Sequence, residues 1–195
     1  MSEIQSGIMG GGLAFLFLAI LQSALVSKAT QIAQRGGTRQ MGGFWEIIVT
    51  SDDGRYSLSR FQAYIWFVSG IVCWAAVSFA SKGFASIPQG LYLLMGLHAA
   101  VAVTSTAIAL RSSSTITVSP EPPMFVQDIF FETNGNLDLP RTQMFAWTVL
   151  ILLGYVMLVV RSFVIGHSQL PDIPVGLVAL MGTSHAMYLG TKAAR

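Results

Sequence analysis

Long uncharged apolar runs alternate along the chain with short segments that hold almost all of its charge. Five runs approach the length that a helix needs to cross a bilayer, about 17–25 residues. They are Ile8 to Ser27, Phe61 to Ala80, Leu91 to Leu110, Met144 to Val160 and the shorter Val175 to Gly190. Before the first run stands Glu3 and no Lys or Arg, whereas a secretory signal opens with positive charge, so a retained helix is expected. With the N-terminus outside, Lys28, Arg35, Arg39, Arg55, Arg60, Arg111, Arg141, Lys192 and Arg195 all fall inside, against Lys82 and Arg161 outside. That asymmetry follows the positive-inside rule. The pattern therefore predicts an all-α integral membrane protein with five transmembrane helices, its N-terminus outside and its C-terminus inside.

The second and third runs recur as the fourth and fifth. Residues 44–68 align without a gap on 125–149: Phe44, Ile48, Gly54, Leu58, Arg60, Gln62, Trp66 and Val68 return as Phe125, Ile129, Gly135, Leu139, Arg141, Gln143, Trp147 and Val149. After five extra residues in the second outer loop, Ile87, Pro88, Gly90, Leu91, Leu94, Met95 and Gly96 return as Ile173, Pro174, Gly176, Leu177, Leu180, Met181 and Gly182. Shared hydrophobicity alone would not reproduce Gly, Pro, Arg, Gln and Trp. Both copies start and end on the same side, so the helical hairpins form a parallel repeat. The expected organisation is an N-terminal helix with an inner linker (1–43), a first membrane repeat (44–110), a linker (111–124) and a second repeat (125–195).

Each copy opens with a polar segment that reads as a short cytoplasmic β-hairpin. Ile47 to Thr50 and Ile129 to Phe131 are β-prone, and Asp53-Gly54 and Asn134-Gly135 suit a tight turn that needs positive φ. Ser57 and Asp138 then stand at equivalent N-cap positions, and Pro140 fits a first helical turn. Arg60 and Arg141 fall at the membrane boundary, where long stems carry a guanidinium to lipid phosphate or a nearby carbonyl. Trp66 and Trp147 are expected beside them as interfacial anchors. Gln62 lies four residues before Trp66 on one helix face, which continues through Ser69, Gly70 and Cys73 as a packing seam with a polar inner end.

Composition agrees with the pattern: 53% of residues are apolar, 10% are charged and the mean hydropathy is +0.62. A water-soluble domain carries about 25% charged residues. The formal net charge of +2 gives no basis for a nucleic-acid partner. Cys73 is alone, which removes any disulfide framework or cysteine metal site.

Little in the spans suggests reaction chemistry. His98 and His185 are ionisable residues within apolar runs, the usual mark of an intramembrane functional site. They are not repeat equivalents, however, so a symmetric two-histidine site is not expected. Gly96, Ala100 and Thr104, and likewise Gly182, Ala186 and Gly190, form small-residue stripes suited to close helix packing. No Asp, Glu or Lys lies deep in a span to couple transport, and the loop carboxylates lack metal-site or nucleophile spacing. No catalytic residue, metal or cofactor is expected.

The second copy resembles a family of uncharacterised bacterial multi-pass inner-membrane proteins. Gly135, Leu139, Arg141, Gln143, Trp147 and Thr148 carry the resemblance, with Leu180, Met181, Gly182, Ser184, Tyr188, Leu189, Gly190 and Lys192. The first copy follows that pattern more loosely, and the family usually has small residues where this chain has His185 and Met187. The resemblance implies a bacterial inner-membrane protein and brings no activity with it. The expected role is a non-enzymatic scaffold or anchor, oligomeric or bound to other membrane or cytoplasmic proteins. A small ion channel lined by Thr104, Ser105, Thr106, Thr183 and Ser184 is the rival. A lipid-headgroup sensor using Arg60 and Arg141 is a third possibility.

Overall fold

The computed structural model describes residues 3–35, 49–51, 54–112, 124–132, 135–167 and 169–194. Its regular elements are helices: α1 (Glu3–Arg35), α2 (Leu58–Ser81), α3 (Gln89–Ser112), α4 (Phe125–Phe130), α5 (Leu139–Val164) and α6 (Val175–Ala193). Two features of the expected fold need correction.

The first is the number of spans. Among the described residues three helices, not five, are long and apolar enough to cross a membrane: α2, α3 over Gln89–Ala109, and α5. The described apolar stretch of α1, Ile4–Ile20, is 17 residues long, shorter than the other three. The 19 residues of α6 include Gly182-Thr183-Ser184-His185 and Lys192, which dilute its apolar character. The outside-to-inside orientation was counted over five crossings and loses its basis with them.

The second is the β-hairpins. The described residues contain no strand, only two isolated antiparallel bridges, Thr50 with Tyr56 and Phe131 with Leu137. The expected β-run at Ile129 and Phe130 lies in α4 instead. Helical spacing there buries Ile129 completely and sets Phe125 edge-on to Tyr56 and Phe61, at 5.7 and 5.3 Å between ring centres. That packing outweighs a weak β-propensity. The turns themselves form, with Gly54 at φ 81° and Gly135 at φ 83°. Asp53 and Asn134 lie outside the described residues, as do Ile47 and Ile48.

The repeat is written into the backbone. Gly54 N donates to Ser51 O, and Gly135 N to Glu132 O, both at 3.0 Å. Ser57 N donates to Val49 O at 2.6 Å, and Asp138 N to Phe130 O at 2.8 Å. Helix entry differs in detail. Asp138 caps α5 by accepting from Arg141 N at 3.1 Å, with Pro140 in the first turn. The Ser57 hydroxyl makes no cap bond and pairs with Ser59 at 3.1 Å.

The helices α2, α3, α6 and α5 pack as a ring in that order, and α1 lies along α2. Gln62 meets Thr148 and Trp66 meets Tyr155, so α2 and α5 run the same way. His98 meets His185 and Ser105 meets Tyr188, so α3 and α6 do too. Antiparallel to α2, α1 sets Gly10 and Gly11 against Phe79, Ala76 and Val72, while Gln22 hydrogen-bonds Tyr64. A Cβ on Gly10 would stand 2.4 Å from the Phe79 Cβ, so only glycine permits that approach. The surface of the bundle is apolar, as Phe67, Leu153, Met157, Val160 and Val164 show.

Away from the turns, Gly90 marks where the hairpins lock together. Its N–H donates to Asp172 Oδ1 at 2.8 Å, and that oxygen also accepts from Ile173 N at 2.9 Å. A Cβ on Gly90 would lie 2.2 Å from the Ile173 carbonyl oxygen, while its repeat counterpart Gly176 faces open space. Gly90→Ala is therefore expected to cost about 1–3 kcal/mol through overpacking. Gly176→Ala should be neutral or slightly stabilising in the isolated chain. Thermal unfolding of both variants in detergent checks this, and equal effects would contradict the locked geometry.

Candidate functional site: a buried ring cluster between the hairpins

At the centre of the ring, each of the four helices contributes one polar aromatic side chain: Trp66 from α2, His98 from α3, Tyr155 from α5 and His185 from α6. The histidine rings meet edge to face, 4.7 Å between centres with an interplanar angle of 89°. Trp66 lies 5.6 Å from His98 and 6.5 Å from Tyr155. Below Trp66, the Gln62 amide donates to Thr148 Oγ1 at 2.5 Å and to the Met144 carbonyl at 3.1 Å. All these side chains are buried.

Local helix geometry fixes the imidazoles. His98 Nδ1 lies 2.7 Å from the Leu94 carbonyl, and His185 Nδ1 lies 2.6 Å from the Met181 carbonyl, each one turn back. A carbonyl only accepts, so Nδ1 carries the proton in both rings and each Nε2 presents a lone pair. Neither Nε2 has a protein partner. The same holds for Trp66 Nε1, the Tyr155 hydroxyl and Gln62 Oε1. Donors and acceptors are thus gathered in one apolar interior, where a polar group without a partner is costly. Two imidazole nitrogens fall short of the three or four ligands of a zinc site. Among the described residues no three His, Cys, Asp or Glu side chains group for a metal.

The structure places the sequence-selected residues in several environments. His98 and His185, whose non-equivalence argued against a shared site, are in direct contact. Trp66 is not an interfacial anchor: it is 0% exposed and packs inside the ring. Trp147, its counterpart, is half-buried and lines an open groove. Arg60 and Arg141 fasten the turn segments, Arg60 donating to the Thr50 carbonyl at 2.5 Å and Arg141 to the Asp128 carbonyl at 3.1 Å. Arg141 also pairs with Asp138 at 3.1 Å. The small-residue stripes face outward. Gly96, Ala100, Thr104, Ala186 and Gly190 are exposed, Gly182 is half-buried, and the stripe glycines have nothing within 4 Å of a Cβ.

Tyr155 and Thr148 were missed. They belong to a buried stripe of α5 with Met144, Ile151 and Val159, whose spacing of three and four residues was legible as a packing face. A second polar set joins residues that the sequence named only separately, Ser105 as channel lining and Tyr188 and Lys192 in the resemblance: Lys192 Nζ donates to Ser105 Oγ at 2.6 Å, and Ser105 lies 3.2 Å from the Tyr188 hydroxyl. Beside it opens a cavity of about 280 Å³, whose lining includes Arg55, Arg141, Lys192 and Glu132.

Long apolar helices around a sequestered polar centre define a helical, membrane-embedded protein. Comparison with protein-family models, with curated proteins and with solved structures finds no match for this chain. The ring cluster makes a quantitative prediction. His98→Ala and His185→Ala should each lower stability, and the double variant should cost less than their sum by about 0.5–1.5 kcal/mol. Strictly additive effects in detergent unfolding would rule out a direct energetic contact.

Proposed function

We propose that the chain is a non-enzymatic scaffold of a bacterial inner membrane, acting through the outer faces of its helices. One observation carries this reading: the axis of the ring is filled. Trp66, His98, Met144, Met181 and His185 are at most 1% exposed. A single chain arranged in this way offers packing rather than a path for ions. Within this reading the polar cluster fixes the register between hairpins, a role for which buried polar groups are suited. The bacterial inner membrane is supported by the resemblance of the second repeat. Purified protein in liposomes is expected to give no ion flux above empty vesicles. Reproducible flux that a bulky substitution at Ser184 abolishes would replace the scaffold by the channel.

The cavity beside Lys192 favours a second reading, recognition of an anionic lipid headgroup. Three cationic side chains and one carboxylate line it. Arg60 takes no part, since it lines a different groove. Each cation near an anionic surface contributes about 1 kcal/mol, roughly a fivefold effect. Lys192→Gln with Arg141→Gln is expected to reduce co-purified anionic lipid several-fold while zwitterionic lipid stays constant. An unchanged lipid profile would remove this reading.

A further inference from the structure

The contact between the two hairpins joins unlike surfaces. The first hairpin presents Gln62, Trp66, Cys73, Val77, Leu91 and His98, its front, all buried. The second presents Met144, Thr148, Tyr155, Met181, His185 and Tyr188, its back, also buried. The repeat therefore gives each hairpin a copy of both surfaces, and the internal contact covers only one of each.

Two apolar grooves among the described residues lie on these uncovered surfaces. One, of about 640 Å³, lies on the second hairpin and is lined by Trp147, Gly154, Leu158 and Leu177 among others. Those four are the repeat counterparts of Trp66, Cys73, Val77 and Leu91: the front again. The other, of about 360 Å³, lies on the first hairpin and is lined by Ala63, Phe67, Met95, Ala99 and Ala102. These are the counterparts of Met144, Thr148, Met181, His185 and Tyr188: the back again.

We propose that a second copy of this chain docks head to tail, its first hairpin's back seated in the groove on the second hairpin of its neighbour, and that the contact repeats the one inside each chain. The residue exchanges suit this. Where the internal contact has Val101 near Tyr188, the repeated contact would bring Met187 towards Ala102, a larger residue facing a smaller one. Arg161 borders one groove and Arg60 the other, and the remaining lining named here is uncharged. α1 is set against Val72, Ala76 and Phe79 and reaches the edge of the first-hairpin groove only through the Gln22–Tyr64 hydrogen bond; among the described residues α1 lines neither groove. Such a contact is heterologous, and repetition closes it into a ring when the rotation permits. The proposal rests on the scaffold reading and names its partner.

Cross-linking in native membranes tests it. The internal pair Gln62 and Thr148 corresponds across chains to Gln143 and Phe67. In a Cys73→Ala background, Gln143→Cys and Phe67→Cys are placed in separately tagged copies and co-expressed. Oxidation is expected to give a disulfide-linked species carrying both tags, while either variant alone gives little. A bulky Ala99→Trp in the back groove should reduce that species at least tenfold without lowering the unfolding temperature of the purified chain. The proposal is overturned by absence of the mixed species, or by efficient linking of Gln143→Cys to itself, which would indicate a face-to-face dimer. Liposome flux by the same protein is a separate readout. A silent chain with no mixed cross-link would leave the scaffold reading in place and remove only its self-partner.

Discussion

The structure depends on one contact, the front of the first hairpin against the back of the second. In lipid there is no hydrophobic drive to bring helices together, so association rests on close packing and on polar groups that find one another. Both kinds of interaction concentrate at this contact. Trp66, Leu94, Met144 and Met181 supply fully buried volume, and the bonds from Gln62 to Thr148 and to the Met144 carbonyl tie α2 to α5. At the far end of the bundle, the Gly90–Asp172 bond sets how deeply the hairpins engage.

That contact explains why two copies of one pattern ended in different environments. Gln62 and Trp66 lie inside it, while Gln143 is exposed and Trp147 half-buried. The turn segments have kept their symmetry, with matched hydrogen bonds and matched glycine angles, even though Tyr56 of the first donates its N–H to Asp128 and packs on Phe125 of the second. Arg60 donates to the Thr50 carbonyl beside its turn, whereas Arg141 donates to the Asp128 carbonyl within α4, a non-equivalent position. Similarity therefore persists in the bonds that close each turn, and divergence appears where the long helices of one hairpin pack on those of the other.

Much of this was legible in the sequence, and the exceptions have physical causes. The helices α2, α3 and α5 follow from uninterrupted apolar runs, and the turns follow from glycines that alone accept positive φ without strain. The β-hairpins failed because a single bridge beside a two-residue turn gains little without neighbouring strands, whereas Phe125 and Ile129 gain a packed aromatic corner by coiling. Trp66 was misplaced because boundary position suggests a lipid anchor, and sequence does not reveal which face of a helix another helix will cover. Shortness of α6 was visible, but His185 takes its ring contact from His98 of α3, which no local pattern encodes.

The histidines sharpen that last point. Non-equivalence in the repeat argued against their meeting, and this argument holds only if copies meet through like surfaces. Had they done so, His98 would face Ser184, its own counterpart. The observed 4.7 Å contact with His185 requires instead that a front residue meet a back residue. Two hairpins joined through like surfaces cover every copy of that surface and leave nothing complementary outside. Joined front to back, they must leave one front and one back uncovered, whatever the residues that compose them. The open grooves at Trp147 and at Phe67 are thus the geometric remainder of the contact that brings the histidines together.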